Sequence, residues 1–368
     1  MKHPLHTTMT AAWLIAALIL PLHTHAATTA NGVPTLDSVK RLPTILGPVS
    51  LASGQVLEKV HVINPKGPCI VIDGKSDIVI RDSEIGPCGH ETQEIQHSGI
   101  FIVNGSTRIT IERNVLHDAP TLIAVNSGVH PFIIRNNLFY NIRGTVWALQ
   151  AIGFGETRKA NASTKILCNV MDDTLIEQRP MAGGRERKVE DHINLYNSGG
   201  TAQFPVEIAY NRIRGADDGK GGQSGSGMQL GDSPAGGGGK GSNVPGYFYV
   251  HDNIVYHVNG QGIAIAGGVG SVVQNNMVDN RGASMDSMTG WAFGLRNFDG
   301  DKPASVTYTG NKGIANLWAY NHDGQRWPAF DKNRHRSGFD VTDGGGNDWQ
   351  YDFKTNIWDE PLNPACRQ

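Results

Sequence analysis

Apolar and polar residues alternate with a period of two along most of the chain, in short blocks separated by polar breaks. The clearest blocks are GIFIVNGSTRITIERNVLHDAP and, directly after it, TLIAVNSGVHPFIIRNNLFYNIRG, which together run from Gly99 to Gly144. The two superimpose with Asn114 over Asn137, a step of 23 residues. Each contains an alternating strand, a polar break, a second alternating strand, an Asn and a short apolar pair. A period of two predicts half-buried strands. A unit this short cannot bury its own apolar face, so successive units must stack and share a core.

The same grammar recurs in CIVIDGKSDIVIRDSEIG, TVWALQAIGFG with TKILCNVMDD, EDHINLYNSGG with VEIAYNRIRG, SGMQLGD with YFYVHDNIVYHV, QGIAIAGG with SVVQNNMVDN, and GWAFGLRN with SVTYTGNKGIAN. The Asn marker repeats as Asn114, Asn137, Asn169, Asn211, Asn253, Asn276 and Asn311. Stacking predicts a ladder of these side chains, each amide bonded to the next. Before the coils, Val33 to Val62 reads as mixed, with TLDSVKRL as a short helix capping the first open end of the stack. Beyond Asn316 the pattern lapses, and the Trp- and Gly-rich text reads as a cover over the last coil. These features resemble the right-handed parallel β-helix of the pectate-lyase-like superfamily, with the resemblance running from Cys69 to Asn316. The expected fold is all-β, a single right-handed parallel β-helix of about eight coils. The expected divisions are 1–26 as a leader, 27–68 as N-terminal cap and first strands, 69–316 as the β-helix and 317–368 as the C-terminal cap.

The start of the chain alters where this fold should operate. One lysine, an apolar run from Ala11 to Leu20 and small residues ending at Ala26 read as a secretory signal peptide, too short for the roughly 18–20 apolar residues of a spanning helix. A secreted or periplasmic protein is expected, beginning near Ala27 and not inserted in a membrane. Charge then removes other partners. With 32 Lys+Arg against 34 Asp+Glu the chain carries −2, and losing Lys2 leaves about −3, so no basic field recruits nucleic acid. A monomer is expected. All four cysteines lie where disulfides form. Cys69 and Cys88, 19 residues apart, suit neighbouring coils and are expected to bridge, with buried thiols as the alternative; spacing does not place Cys168 with Cys366.

The steps between markers are 23, 32, 42, 42, 23 and 35 residues, so the middle coils carry insertions, which build walls at little cost in stability. The predicted cleft crosses Glu190 to Asn197, Met228 to Asp232, Ile263 to Ala266 and Ala292 to Arg296. Alternation turns Ile193 and Leu195 inward and His192, Asn194 and Tyr196 outward.

EDHINLYNSGG resembles DDCIAINSG of polygalacturonase-type hydrolases, and GSGMQLGD resembles their GHGxSIG. The resemblance implies Glu190 and Asp191 at acidic positions. Ser226 stands where that family has His, and GIAIAG lacks its Arg and Lys. Inverting hydrolysis needs two carboxyls roughly 6.5–9.5 Å apart, for which Asp191 and Asp232 are the candidates. The reading placed first is a polysaccharide lyase acting on a uronic-acid polymer. β-Elimination needs a group that quiets the substrate carboxylate, a base and an acid. Asn194, His192 and Tyr196 have those chemistries in that order, with Lys220 or Lys188 as an amine and Asp217 with Asp218 as a Ca²⁺ site of hard oxygen ligands. Glu190, Asn194, Gln229 and Arg296 are the expected substrate contacts. A glycoside hydrolase is the second reading, and a non-catalytic polysaccharide-binding or secretion-accessory protein the third.

Overall fold

Residues such as Ile78, Ile80, Ile109, Ile111 and Ile134 alternate with polar neighbours and are fully or almost fully buried, which is how β-branched side chains favour a pleated, half-buried surface. In the computed structural model these segments form parallel strands in three sheets. The structure describes residues 32–89, 98–143, 149–157, 161–175, 189–215, 225–231, 246–258, 260–265, 268–281, 308–319, 321–322, 325–326, 339–343, 345–348 and 351–367. The expected leader lies outside them. Among the described residues, no helix is long and apolar enough to cross a membrane.

Each coil contributes one strand to each sheet. In the coil of Asn114 these are Thr107–Glu112, Val115–His117 and Thr121–Asn126. Sheets of the first two kinds, called here the long-strand and short-strand sheets, hold ten strands each, and the third holds eight. Registered parallel pairs run from Thr44–Leu46 on His61–Asn64 up to Met277–Asp279 on Leu317–Ala319. Only the small hairpin of Asn321–His322 and Gln325–Arg326 pairs antiparallel among the described strands. The fold is therefore the parallel β-helix that the alternation implies. One apolar column fills it, from Val62 and Ile70 to Val278 and Trp318. The short helix expected within TLDSVKRL is Leu36–Val39.

The Asn ladder is present, with one correction. Asn114 Nδ2 donates to Asn137 Oδ1 at 3.1 Å, and the relay continues through Asn169, Asn211, Asn253 and Asn276 at 2.9–3.0 Å. From Asn276 it passes to Asn316 and then Asn347, at 2.9 Å each. Asn311 is not a rung: it accepts from Ser271 N and donates to Gly268 O, at another corner of the coil. Each rung also bonds backbone in its neighbours. Asn169 Oδ1 accepts from Asn137 N as well as Nδ2, and Asn169 Nδ2 also donates to Ile134 O. The residue before each rung has a left-handed backbone, with φ between 50° and 59° for Arg113, Asn136, Cys168, Tyr210, Asp252, Asn275 and Ala315, and 75° for Gly346 before Asn347.

Both disulfides are formed. Cys69 and Cys88 have Cα atoms 5.4 Å apart, as expected for neighbouring coils, and Cys168 joins Cys366 with Cα atoms 5.5 Å apart. The second bridge shows where the tail goes. Residues 351–367 run back along the outside of the short-strand sheet. Phe353 and Ile357 pack with Ile254 and Ala319, Trp358 lies over Arg212 and Arg214, and Leu362 joins Val33, Val39, Val115 and Leu138. Cys366 O then accepts from Asn136 Nδ2.

Replacing Asn169 by Leu strips partners from a buried amide and from backbone groups in the coil before it. Each unsatisfied group costs about 1–3 kcal/mol, so equilibrium denaturation of Asn169→Leu is expected to show a loss of roughly 3 kcal/mol or more. An unchanged midpoint would remove the ladder from the account of stability.

Candidate functional site

The outer face of the eight-stranded sheet carries a groove of about 360 Å³. Its floor follows from register. Ala124 pairs with Phe101 below and Gly153 above, and Gly153 pairs with Asn194. Asn126, Gly155 and Tyr196 form a parallel outward row. Thr121, Gln150, Glu190, Val125 and Phe154 complete the lining. A Cβ at Gly153 would lie 2.1 Å from Gln150 Oε1, so the glycine there lets the Gln150 amide lie across the floor. The groove thus offers small residues at the bottom, three aromatic side chains (Phe101, Phe154 and Tyr196) and a set of amides, with the exposed Glu190 carboxylate beside them.

Of the expected cleft segments, Glu190 to Asn197 contributes, through Glu190, Asn194 and Tyr196. The described part of the groove then extends toward earlier coils, to Phe101, rather than toward the later coils expected from the insertions. Gln229 is in register with Asn194 but is buried and does not line it. Lys188, Asp217, Asp218, Lys220, Asp232 and Arg296 lie outside the described residues. Coil length does not point to Thr121, Asn126 or Gln150; the outward alternation of TLIAVN is the signal for Asn126, whereas Thr121 and Gln150 share the parity of the inward Ile123 and Ile152 and lie at strand starts, where alternation fails.

Asp191 is almost buried, and its Oδ2 accepts from Asn194 Nδ2 at 2.7 Å. His192 departs from the outward orientation expected of it. Strict alternation fails at the start of these strands: Leu122 and Ile123, then Ala151 and Ile152, both enter the core as consecutive pairs. His192 follows in the same position and turns into the corner between sheets, 1% exposed. Its Nε2 lies 2.8 Å from Asp173 Oδ2 and its Nδ1 lies 2.9 Å from Ser226 O. A carbonyl only accepts, and a carboxylate accepts when ionised, so both ring nitrogens donate and the ring is an imidazolium. Burial pulls the His192 pKa down, but the Asp173 charge and hydrogen bond, the Ser226 carbonyl and the charge of Asp191 outweigh it and hold the pKa above the ordinary value. The ring therefore has no lone pair to offer a substrate. Asp173, missed in the sequence, belongs to this corner because MDD turns directly off the strand Val170–Asp172.

A profile described as "Right handed beta helix region" matches residues 49–147. No curated protein matches the chain. Among solved structures, the chain is similar to the catalytic unit of the thermostable GH87 alpha-1,3-glucanase from Streptomyces thermodiastaticus strain HF3-3. Identity is 13%, the TM-score is 0.41, and the alignment covers 87% of this chain and 48% of the glucanase unit. The chain therefore spans about half the length of that unit.

Removing the imidazole should leave Asp173 as a buried charge without its partner, a loss of about 3–5 kcal/mol. His192→Ala is accordingly expected to lower the denaturation midpoint sharply, whereas Glu190→Gln, on the exposed rim, should stay within about 0.5 kcal/mol of the parent. The pH dependence has a definite sign. Because the folded pKa of His192 is raised, its contribution is complete below the unfolded value of about 6.5 and is lost as pH rises through the higher folded value. Melting temperatures across that window should fall more steeply in the parent than in His192→Ala.

Proposed function

We propose that the groove holds an extended polysaccharide strand and that the protein hydrolyses a glycosidic bond there. The observation that carries this reading is the chemistry of the described lining: a carboxylate, amides, two hydroxyls and three aromatic rings, with no Lys or Arg. Amides and hydroxyls match sugar hydroxyls, and Phe101 and Tyr196 give the flat apolar faces on which pyranose rings rest. Glu190 on the rim is assigned as the acid that protonates the leaving oxygen. Asp191, 5% exposed and not itself part of the lining, has its carboxylate oriented by Asn194 and is assigned as the partner that works on water or on the anomeric carbon once substrate draws the Asn194 side chain aside. Export is part of the proposal, supported by the leader-like start and by two disulfides, which persist in oxidising compartments.

β-Elimination is the second reading, favoured by one feature: the Tyr196 side chain is 37% exposed on the groove face, with Asn194 two residues before it. That reading loses His192 as its base, since the ring is buried and donates from both nitrogens. Its amine, Lys220, and its cation ligands, Asp217 and Asp218, lie outside the described residues.

Incubation with neutral and uronic-acid polysaccharides, followed by absorbance near 235 nm and by reducing ends, separates the readings. Hydrolysis raises reducing ends alone, elimination raises both, and a binding protein raises neither. For the hydrolase, Glu190→Gln and Asp191→Asn should each lower turnover by about a hundredfold or more with the fold intact. Full activity in both variants would move the chemistry out of this groove.

A further inference from the structure

A second cluster lies on the outer face of the short-strand sheet, away from the groove. His61 and Glu84 are direct register partners on the neighbouring strands His61–Asn64 and Glu84–Cys88, and His117 stands at the end of the next strand, Val115–His117. Glu84 Oε2 is 3.6 Å from His61 Nδ1, and Oε1 is 3.1 Å from His117 Nε2. One ligand atom from each of the three residues lies within 4.8 Å of the others.

The remaining nitrogens decide what the cluster lacks. His61 Nε2 lies 2.7 Å from Gly86 O, a group that only accepts, so that nitrogen carries the proton. His117 Nδ1 lies 2.7 Å from Asp118 Oδ2. Asp118 is itself paired with Arg143 at 2.9 Å and accepts from Asn141 at 2.6 Å, and so is held as a carboxylate acceptor. With the far nitrogens so engaged, His61 Nδ1 and His117 Nε2 are the atoms that face Glu84, and a cation bound there would displace the proton that His117 shares with its carboxylates. Two ring nitrogens and a carboxylate therefore converge on one face of the sheet. Metal-binding histidines are held in this manner, the far N–H given to a carbonyl or a carboxylate.

The surrounding backbone is shaped to this arrangement. One extra residue enters the strand of Glu84 between the pairs Val62 with Ile85 and Asn64 with Cys88, and this bulge contains Gly86. Gly86 has φ of +141°, and a Cβ there would lie 2.1 Å from His117 O and 3.1 Å from its Cγ. Only glycine lets the carbonyl reach His61 while His117 keeps its place. Tyr140 stacks on the His117 ring at 4.8 Å from the next coil.

We propose that His61 Nδ1, Glu84 and His117 Nε2 bind a divalent transition-metal ion of the zinc class. Two imidazoles and a carboxylate suit Zn²⁺ better than Ca²⁺ or Mg²⁺, which prefer all-oxygen shells. Ligand atoms around tetrahedral zinc at bond lengths of about 2.0–2.2 Å are separated by roughly 3.3 Å, and the two measured pairs bracket that value. His61 and Glu84 are partly exposed, which leaves the fourth position to water. The ion would join three successive coils beside the Cys69–Cys88 bridge, and this role is independent of what the groove does.

The test uses the full-length exported protein without an affinity tag, stripped with chelator and titrated with ZnCl₂ by calorimetry. One ion per chain is expected. His61→Ala and Glu84→Gln should remove that binding event, and Asp118→Asn, which removes the charge that supports His117 and pairs with Arg143, should weaken it about 10–100-fold. Because His117 is nearly buried, its own substitution is not relied on; His61 is more exposed, and its variant should keep the parent melting temperature in the absence of metal. Nitrogen-15 spectra should report zinc on Nδ1 of His61 and Nε2 of His117. Equal zinc affinity in the parent and His61→Ala would overturn the site. So would imidazolium signals for both rings at neutral pH that zinc leaves unmoved, since protons would then fill the gap.

Discussion

The turn that carries the Asn rung is the constraint on which the rest of the structure depends. At each coil the chain changes direction through a left-handed residue, and from Arg113 to Ala315 that residue is never glycine, Gly346 before the last rung being the exception. A non-glycine residue in that conformation costs about 1–2 kcal/mol. The buried amide that follows offsets this by bonding to the coils on both sides. The rung therefore fixes the vertical register of the stack as well as its corner, and insertions as long as those of the middle coils leave it in place. Register in turn decides which side chains share the outer face of the groove sheet, so the composition of the site is a consequence of the ladder.

Much of the architecture was legible because it is periodic. Ile109, Ile111 and Ile134 announce strands, and Asn114 and Asn137 announce the coil. Asn311 misled because it is also a buried Asn in a polar break, and only neighbouring backbone distinguishes it from Asn316. The site was less legible for a related reason. Alternation describes strand interiors, and His192 sits where a strand begins at a corner, one residue off the pattern. A buried imidazolium facing an aspartate 19 residues earlier in the chain has no local signature. The pairing of Cys168 with Cys366 was hidden likewise, since it depends on the path of a tail that has no coil period.

His192 and the cluster at Glu84 illustrate two outcomes for histidine in one scaffold. At His192 both ring nitrogens meet acceptors, so charge is fixed and the ring holds the start of the strand that carries Glu190 and Asp191. At His61 and His117 one nitrogen of each ring meets an acceptor and the other faces a shared carboxylate. Residue type and burial are similar in His192 and His117, and the difference is that the carboxylate facing His117 Nε2 is shared with a second histidine, His61.

A stack of coils in contact only with their neighbours behaves as a one-dimensional array, in which loss of order begins at an end and advances unit by unit. The tail changes that connectivity. From Tyr351 to Cys366 it touches strands near the C-terminal end, crosses Arg212 and Arg214 in the middle and is bonded covalently at Cys168, with Leu362 reaching the N-terminal helix segment. Peeling the last coil therefore pulls on a tether anchored near the centre of the stack, and unzipping from that end is coupled to coils several layers away. A protease or a mechanical load acting on the C-terminal end meets a closed loop rather than a loose edge.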